Sequence, residues 1–165
     1  MSTIAAFKNA GFGIKALKSW NARDGVGTQC SVTLNGKVVG EYTNNGDGGE
    51  GYIRWAKFNE EAEDAFNAML ASLPEVKWAD VGLPNTSVAD GYRPDADHVM
   101  AEVCDDVDTQ KKMAAAVKRA TKAGKTLFKS VGQAEGVYSI INAPVGSELA
   151  NKVLAKYPGA VVLNP

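Results

Sequence analysis

One dipeptide does most to limit the folds open to this 165-residue chain. Asn35-Gly36 sits between two strand-like runs, residues 29–34 and 37–43. A two-residue type I′ turn needs positive φ at both positions, which Asn and Gly tolerate best, so the pair predicts an antiparallel hairpin. A regular ladder around it would set Thr33 opposite Val38 on one side of the ribbon. On the other side it would set Val32 opposite Val39 and Cys30 opposite Glu41. The first third of the chain reads as β around this hairpin, with a strand at residues 14–19 and turn chemistry at residues 22–27. Downstream, residues 44–51 hold four glycines in eight, which no regular strand interior accommodates. Residues 52–55 form another short strand.

The middle is helical. Asn59 is a suitable N-cap, and Glu60, Glu61 and Glu63 favour the positive end of the helix dipole. Ala62, Phe66, Met69, Leu70 and Leu73 recur at helical spacing, and Pro74 follows the end. Residues 78–94, broken by Gly82, Pro84, Gly91 and Pro94, read as a long loop. A second helix is expected from about Asp95 to Lys122, with a stripe of Val99, Val103, Val107, Met113 and Val117 and with Gly124 at its C-cap. Residues 126–131 and 136–142 read as strands. Ser147 caps a helix running to Tyr157, Pro158-Gly159 stops it, and residues 160–163 close the chain as a strand. The expected class is α+β: an antiparallel sheet from N-terminal hairpins, two central helices and a C-terminal ββαβ unit, in a single domain spanning residues 1–165.

Charge narrows the partners. Eighteen Lys and Arg nearly balance nineteen Asp and Glu. Duplex nucleic acid is held mainly through neutralised phosphates, so it is an unfavoured partner unless the bases gather on one face. The chain has one histidine, and its two cysteines, Cys30 and Cys104, are far apart. A zinc site of the usual Cys/His kind is therefore not expected. The start lacks the apolar core of a signal peptide, and no apolar run approaches the ~20 residues that span a bilayer. A cytoplasmic location with reduced thiols is expected, without a membrane partner.

The segment from Cys30 to Gly49, Cys-Ser-Val-Thr-Leu-Asn-Gly-Lys-Val-Val-Gly-Glu-Tyr-Thr-Asn-Asn-Gly-Asp-Gly-Gly, resembles the front of a small protein family of phages, plasmids and bacteria. Those proteins carry a strand pair around a two-residue turn, followed by an N-D/N-G-x-G-G loop. The helix at residues 102–122, Thr-Leu-Phe-Lys at 126–129, Leu-Ala-Lys-Tyr at 154–157 and Val-Val-Leu-Asn at 161–164 extend the resemblance over most of the chain. The glycine-rich loop is its distinctive part. The resemblance implies a phage or mobile-element setting and a role in manipulating a host. It transfers no catalytic residue.

The glycine-rich loop is the first candidate site, with Tyr42, Asn44, Asn45, Gly46, Asp47, Gly48, Gly49, Tyr52 and Arg54 as ligand-binding residues. Consecutive glycines let backbone N–H groups converge on a phosphate or carboxylate, while Tyr42 or Tyr52 would stack on a base and Arg54 would meet phosphate. The pattern is neither a Walker A loop nor a dinucleotide fingerprint, and Asn45, Asp47 and Glu50 fail EF-hand spacing. The competing reading is a bulged turn between strands. Asp95, Asp97, His98, Glu102, Asp105, Asp106 and Asp108 form an acidic cluster. His98, Glu102 and Asp105 share a helix face that could hold a divalent ion, but a solvated helix start is the favoured reading, since charged helix faces are the default. The basic run Lys111, Lys112, Lys118, Arg119, Lys122, Lys125 and Lys129 could meet an anion, with Lys111, Lys118, Lys122 and Lys125 near one face, or be a solvated helix end. Trp20, Tyr42, Tyr52, Trp55 and Trp78 are stacking candidates or packing residues. The cysteines read as small buried apolar residues.

The function expected from these features is a non-enzymatic binding protein of a phage or mobile element that sequesters a nucleotide-like host signal. No catalytic residue, metal ligand or cofactor is assigned. The alternatives are an inhibitor that binds a host protein and, less favoured, a metal-dependent nuclease or phosphodiesterase built on His98.

Overall fold

The expected hairpin forms the centre of the first sheet. The computed structural model describes residues 2–77 and 91–164. Strand β2 (Val26–Leu34) turns into β3 (Lys37–Asn44) through Asn35 at φ 49° and Gly36 at φ 81°, the signs a type I′ turn requires. Beyond the turn the ladder departs from the regular register. Thr33 pairs with Val38 as expected, but Val32 pairs with Gly40, Ser31 with Glu41 and Cys30 with Tyr42. Val39 is the extra residue of a β-bulge. Because side chains alternate with period two, one extra residue exchanges the faces of everything beyond it. Tyr42 is thereby turned inward beside Cys30, and Glu41 is turned outward, where it pairs with Arg54 at 2.8 Å.

Strand β1 (Phe12–Asn21) lies beside β2, and β4 (Tyr52–Trp55) beside β3, giving an antiparallel sheet of order β1-β2-β3-β4. The β1–β2 register also shifts between Lys15 and Lys18, around Ala16 at φ 54°. Residues 14–19 thus mark the middle of a longer strand. A short helix that the sequence pattern did not suggest, α1 (Thr3–Asn9), precedes it, and the Ser2 side chain accepts from Ala5 N–H at its start. A helix this short is not stable through its own hydrogen bonds. Its anchor is Phe7, fully buried, whose ring lies 5.6 Å from Phe12 and 6.3 Å from Phe66.

Helix α2 (Glu60–Ser72) supplies Phe66, Met69 and Ala62 to the same core, as its spacing predicts. The ring of Phe66 meets Phe12 and Trp55 edge-on at 5.3 and 5.5 Å. Strands β5 (Val76–Lys77) and β6 (Gly91–Tyr92) pair in a small separate ladder. Most of the expected loop at residues 78–94, with Trp78, Gly82 and Pro84, lies outside the described residues. Helix α3 (Ala96–Lys122) begins at Asp95, whose carboxylate accepts from His98 N–H at 2.8 Å. Val99 and Val103 of its expected stripe are buried, together with Met100 and Cys104; Val107, Met113 and Val117 are half-buried.

The chain divides into two compact units, Met1–Asp105 and Asp106–Pro165, each considered by itself below. In the second, β7 (Thr126–Lys129) lies between β8 (Ser139–Ile141) and β9 (Val161–Val162), all antiparallel, and α4 (Glu148–Leu154) precedes β9. Its core is Phe128, Ile141, Ala143 and Ala150, with Val153, Leu154 and Ala160 against them. The strands are shorter than expected. Side chains complete what the backbone ladder leaves open: Asn164 Oδ1 accepts from Leu127 N–H at 2.6 Å, and Thr126 Oγ1 donates to Ala143 C=O at 2.8 Å. Ser147 caps α4, as expected, by accepting from Ala150 N–H. The molecule is thus mixed α+β, with a four-stranded antiparallel sheet, a three-stranded C-terminal sheet and four helices among the described residues. Among them no helix is long and apolar enough to cross a membrane.

Candidate functional site

The glycine-rich loop is organised by its own side chains. Asn44 Oδ1 accepts from Gly46 N–H at 2.8 Å, and Asp47 Oδ1 accepts from Gly49 N–H at 3.2 Å. These are Asx-type turns, and they engage two of the amides that an anion-binding nest would need. Gly46 is buried at φ 68°, and its carbonyl accepts from Asp24 N–H, so the loop is tied to the preceding turn. Asn45, Asp47, Gly48 and Gly49 are exposed.

The aromatic and basic partners of the loop divide. Tyr42 is 1% exposed, so its ring has no face for a base, and stacking there would fall to Tyr52, which is 55% exposed. The Tyr42 hydroxyl donates to Asp97 Oδ1 at 2.6 Å, and Asn44 Nδ2 donates to the same oxygen at 3.3 Å. Burial, and then the Asp97 carboxylate, push the Tyr42 phenol well above its ordinary range, because both disfavour the phenolate. The arrangement ties the end of β3 to the start of α3. Arg54 is committed to Glu41.

The acidic cluster does not converge. His98 Nε2 lies 3.3 Å from Glu102 Oε1, and the His98 ring stands edge-on to Tyr92 at 5.5 Å. Asp95 caps the helix, and Asp108 pairs with Lys112 at 2.5 Å. Among the described residues no three His, Cys, Asp or Glu side chains gather where a metal ion could be held. The nuclease reading has no assembled centre in these groups.

The basic run is where a cavity opens. A concavity of about 490 Å³ lies in the second unit, between one face of α3 and the β7–β8 ribbon. That volume falls in the ~300–1,000 Å³ range of small-molecule sites. Ala115, Ala116, Ala120 and Ala123 form its helical wall, and Leu127 and Ile140, which are cross-strand partners, form the opposite one. Tyr138, half-buried, stands at the edge. Three cations line it: Lys112, Arg119 and Lys125. Lys112 is paired with Asp108, whereas no ion pair among the described residues engages Arg119 or Lys125.

The structure therefore redistributes the bases expected on one face. Lys125 lines the cavity, but Lys111, Lys118, Lys122 and Lys129 are not among the residues around it, and Lys112 and Arg119 are. The readable signal was small residues rather than charge. Positions 112, 116, 119, 120 and 123 recur at helical spacing, and alanine between two cations leaves room for a ligand against the helix.

Comparison with protein-family models, with curated proteins and with solved structures found no match.

Proposed function

We propose that this chain is a non-enzymatic binding protein for a small organic anion with a flat apolar body, held in the cavity of the second unit. The observation that carries the reading is the joint presence of an alanine-lined wall, Tyr138 and two cations, Arg119 and Lys125, that no ion pair among the described residues engages, around one concavity of ligand size. Arg119 and Lys125 meet the anionic group. Arginine offers a planar fork that matches phosphate or carboxylate, and lysine adds a point charge. The body of the ligand lies against the alanines, with Tyr138 at its edge. A nucleotide combines both features, and stacking on an aromatic ring is worth about 1–3 kcal/mol per base. In the phage or mobile-element setting that the resemblance implies, such a protein sequesters a nucleotide-like host signal.

The glycine-rich loop is the weaker location for the same function, because two of its amides are engaged and Tyr42 is buried. An inhibitor of a host protein is the second reading, and one residue favours it. Phe58 is 99% exposed at φ 63°, a conformation that bulky residues rarely adopt.

Thermal unfolding against nucleotides, cyclic nucleotides and simple aromatic carboxylates tests the proposal. A ligand at 100-fold its Kd adds about 2.7 kcal/mol of stability if it binds only the folded state. The shift is expected with one nucleotide class, to disappear in Arg119→Ala/Lys125→Ala, and to survive Gly48→Ala. A shift lost in Gly48→Ala but kept in the double variant would return the site to the loop. A flat panel would overturn small-anion binding, and capture of a partner lost in Phe58→Ser would then favour the second reading.

A further inference from the structure

Cys30 and Cys104 lie 74 residues apart in sequence yet meet in the core of the first unit, Sγ to Sγ at 3.8 Å. Cys30 projects from β2 and Cys104 from α3, and they are 2% and 6% exposed. Both are thiols. A pair of isolated apolar residues would serve packing alone. A pair of sulfurs in mutual contact, on two different elements, has a chemistry that packing does not need.

We propose that Cys30 and Cys104 form a modification site for hydrogen peroxide, closing to an intramolecular disulfide that clamps α3 to the sheet. The step balances. The Cys30 thiolate attacks one peroxide oxygen, the O–O bond breaks, and the departing oxygen leaves as water after taking a proton; Cys30 becomes a sulfenic acid. The Cys104 sulfur then attacks the Cys30 sulfur, the S–O bond breaks, and a second water departs. Two thiols are oxidised by two electrons in all, and one peroxide is reduced to two waters.

Two observations support Cys30 as the sulfur oxidised first. The Cys104 thiol beside it lowers its proton affinity below the ordinary thiol value, against the opposing effects of burial and of Glu41. Its partner sulfur is already in contact, so a sulfenic acid there has a resolving thiol at hand. Peroxide, a two-oxygen molecule little larger than water, reaches the pair through local openings of the folded protein. The same seam carries the Tyr42–Asp97 hydrogen bond, so the bond that forms would reinforce an existing junction between strands and helix.

The test uses the full chain, reduced, treated with hydrogen peroxide, then denatured and alkylated. The expected product has lost two hydrogens and takes up no alkyl group. A proteolytic digest without reductant links the Cys30 and Cys104 peptides, and Tm rises and returns to its starting value with dithiothreitol. Cys30→Ala and Cys104→Ala each abolish the rise. Two alkylated cysteines after peroxide, a sulfinic acid at Cys30 with Cys104 still alkylated, or a product joined between two chains would each overturn the proposal. The wild-type mass decides it even where a variant fails to fold.

Discussion

Asn164→Ala offers the sharpest test of how the second unit is held together. The Asn164 side chain is 4% exposed and makes two backbone hydrogen bonds, one to buried Leu127 of β7 and one to Lys125 just before that strand. Oδ1 accepts from Leu127 N–H at 2.6 Å, and Nδ2 donates to Lys125 C=O at 2.7 Å. Strand β9 stops at Val162, so this amide stands where further β-ladder would otherwise run, beside the Leu163 N–H bond to Leu127 C=O. A net hydrogen bond contributes about 1 kcal/mol, and a buried donor left without an acceptor costs about 1–3 kcal/mol. Alanine removes both bonds and leaves Leu127 N–H, at a fully buried residue, without its acceptor. The expected loss is about 2–4 kcal/mol. Native-state hydrogen exchange is the suitable assay, because it reads the second unit without assuming that the whole chain unfolds as one. The opening free energy of the β7 and β8 amides should fall by that amount, while amides of the β2–β3 hairpin keep theirs. A fall below about 1 kcal/mol would mean that water or a backbone shift replaces the amide, and would refute the reasoning. Since Lys125 and Leu127 line the cavity, the variant should also weaken any ligand bound there.

Two further outcomes follow from the first unit. Tyr42→Phe removes a 2.6 Å hydrogen bond to a carboxylate and should cost about 1.5–3 kcal/mol, read as a lower urea midpoint at unchanged m-value. Because the folded phenol is held above its ordinary value, the stability it contributes is present below about pH 10, where the unfolded tyrosine keeps its proton, and declines as pH rises above that. In Tyr42→Phe this part of the alkaline decline should vanish, and an unchanged profile would sink the assignment. Gly48→Ala, at φ 85° with open space around the added carbon, should cost only the backbone term of about 1–2 kcal/mol. Gly46→Ala should cost clearly more, since its Cβ would lie 2.5 Å from Gly27 N and 2.6 Å from Val26 C; equal costs in urea unfolding would show that the loop is not packed as described.

Local chemistry was legible where one residue type has one common use. Asn35-Gly36 announced its turn, and Ser147 its cap. Helix α2 announced its buried face through Ala62, Phe66 and Met69. Among short elements, β4 was legible but α1 was not. Helix α1 has seven residues, too few for a periodic stripe, and forms because Phe7 meets Phe12 and Phe66. The candidate site was half legible. The bases of α3 drew attention to the right helix, but sequence could not say which of them border a concavity. That depends on where β7 and β8 pass, and so Lys112 and Arg119 line the cavity where Lys111 and Lys118 do not.

The sequence alone determined the hairpin, the α+β class, the helices that bury a stripe and the count of one histidine and two cysteines, since each depends on near neighbours or on composition. The tertiary structure decided the rest through the bulge at Val39 and the contacts beyond it. One extra residue in a strand reverses every side chain after it, so Tyr42 met Cys30 and Asp97 instead of facing a ligand. Separately, the packing of α3 on β2 brought two thiols separated by 74 residues to 3.8 Å. Neither contact is coded by spacing, because both arise only when a helix packs across strands from a distant part of the chain.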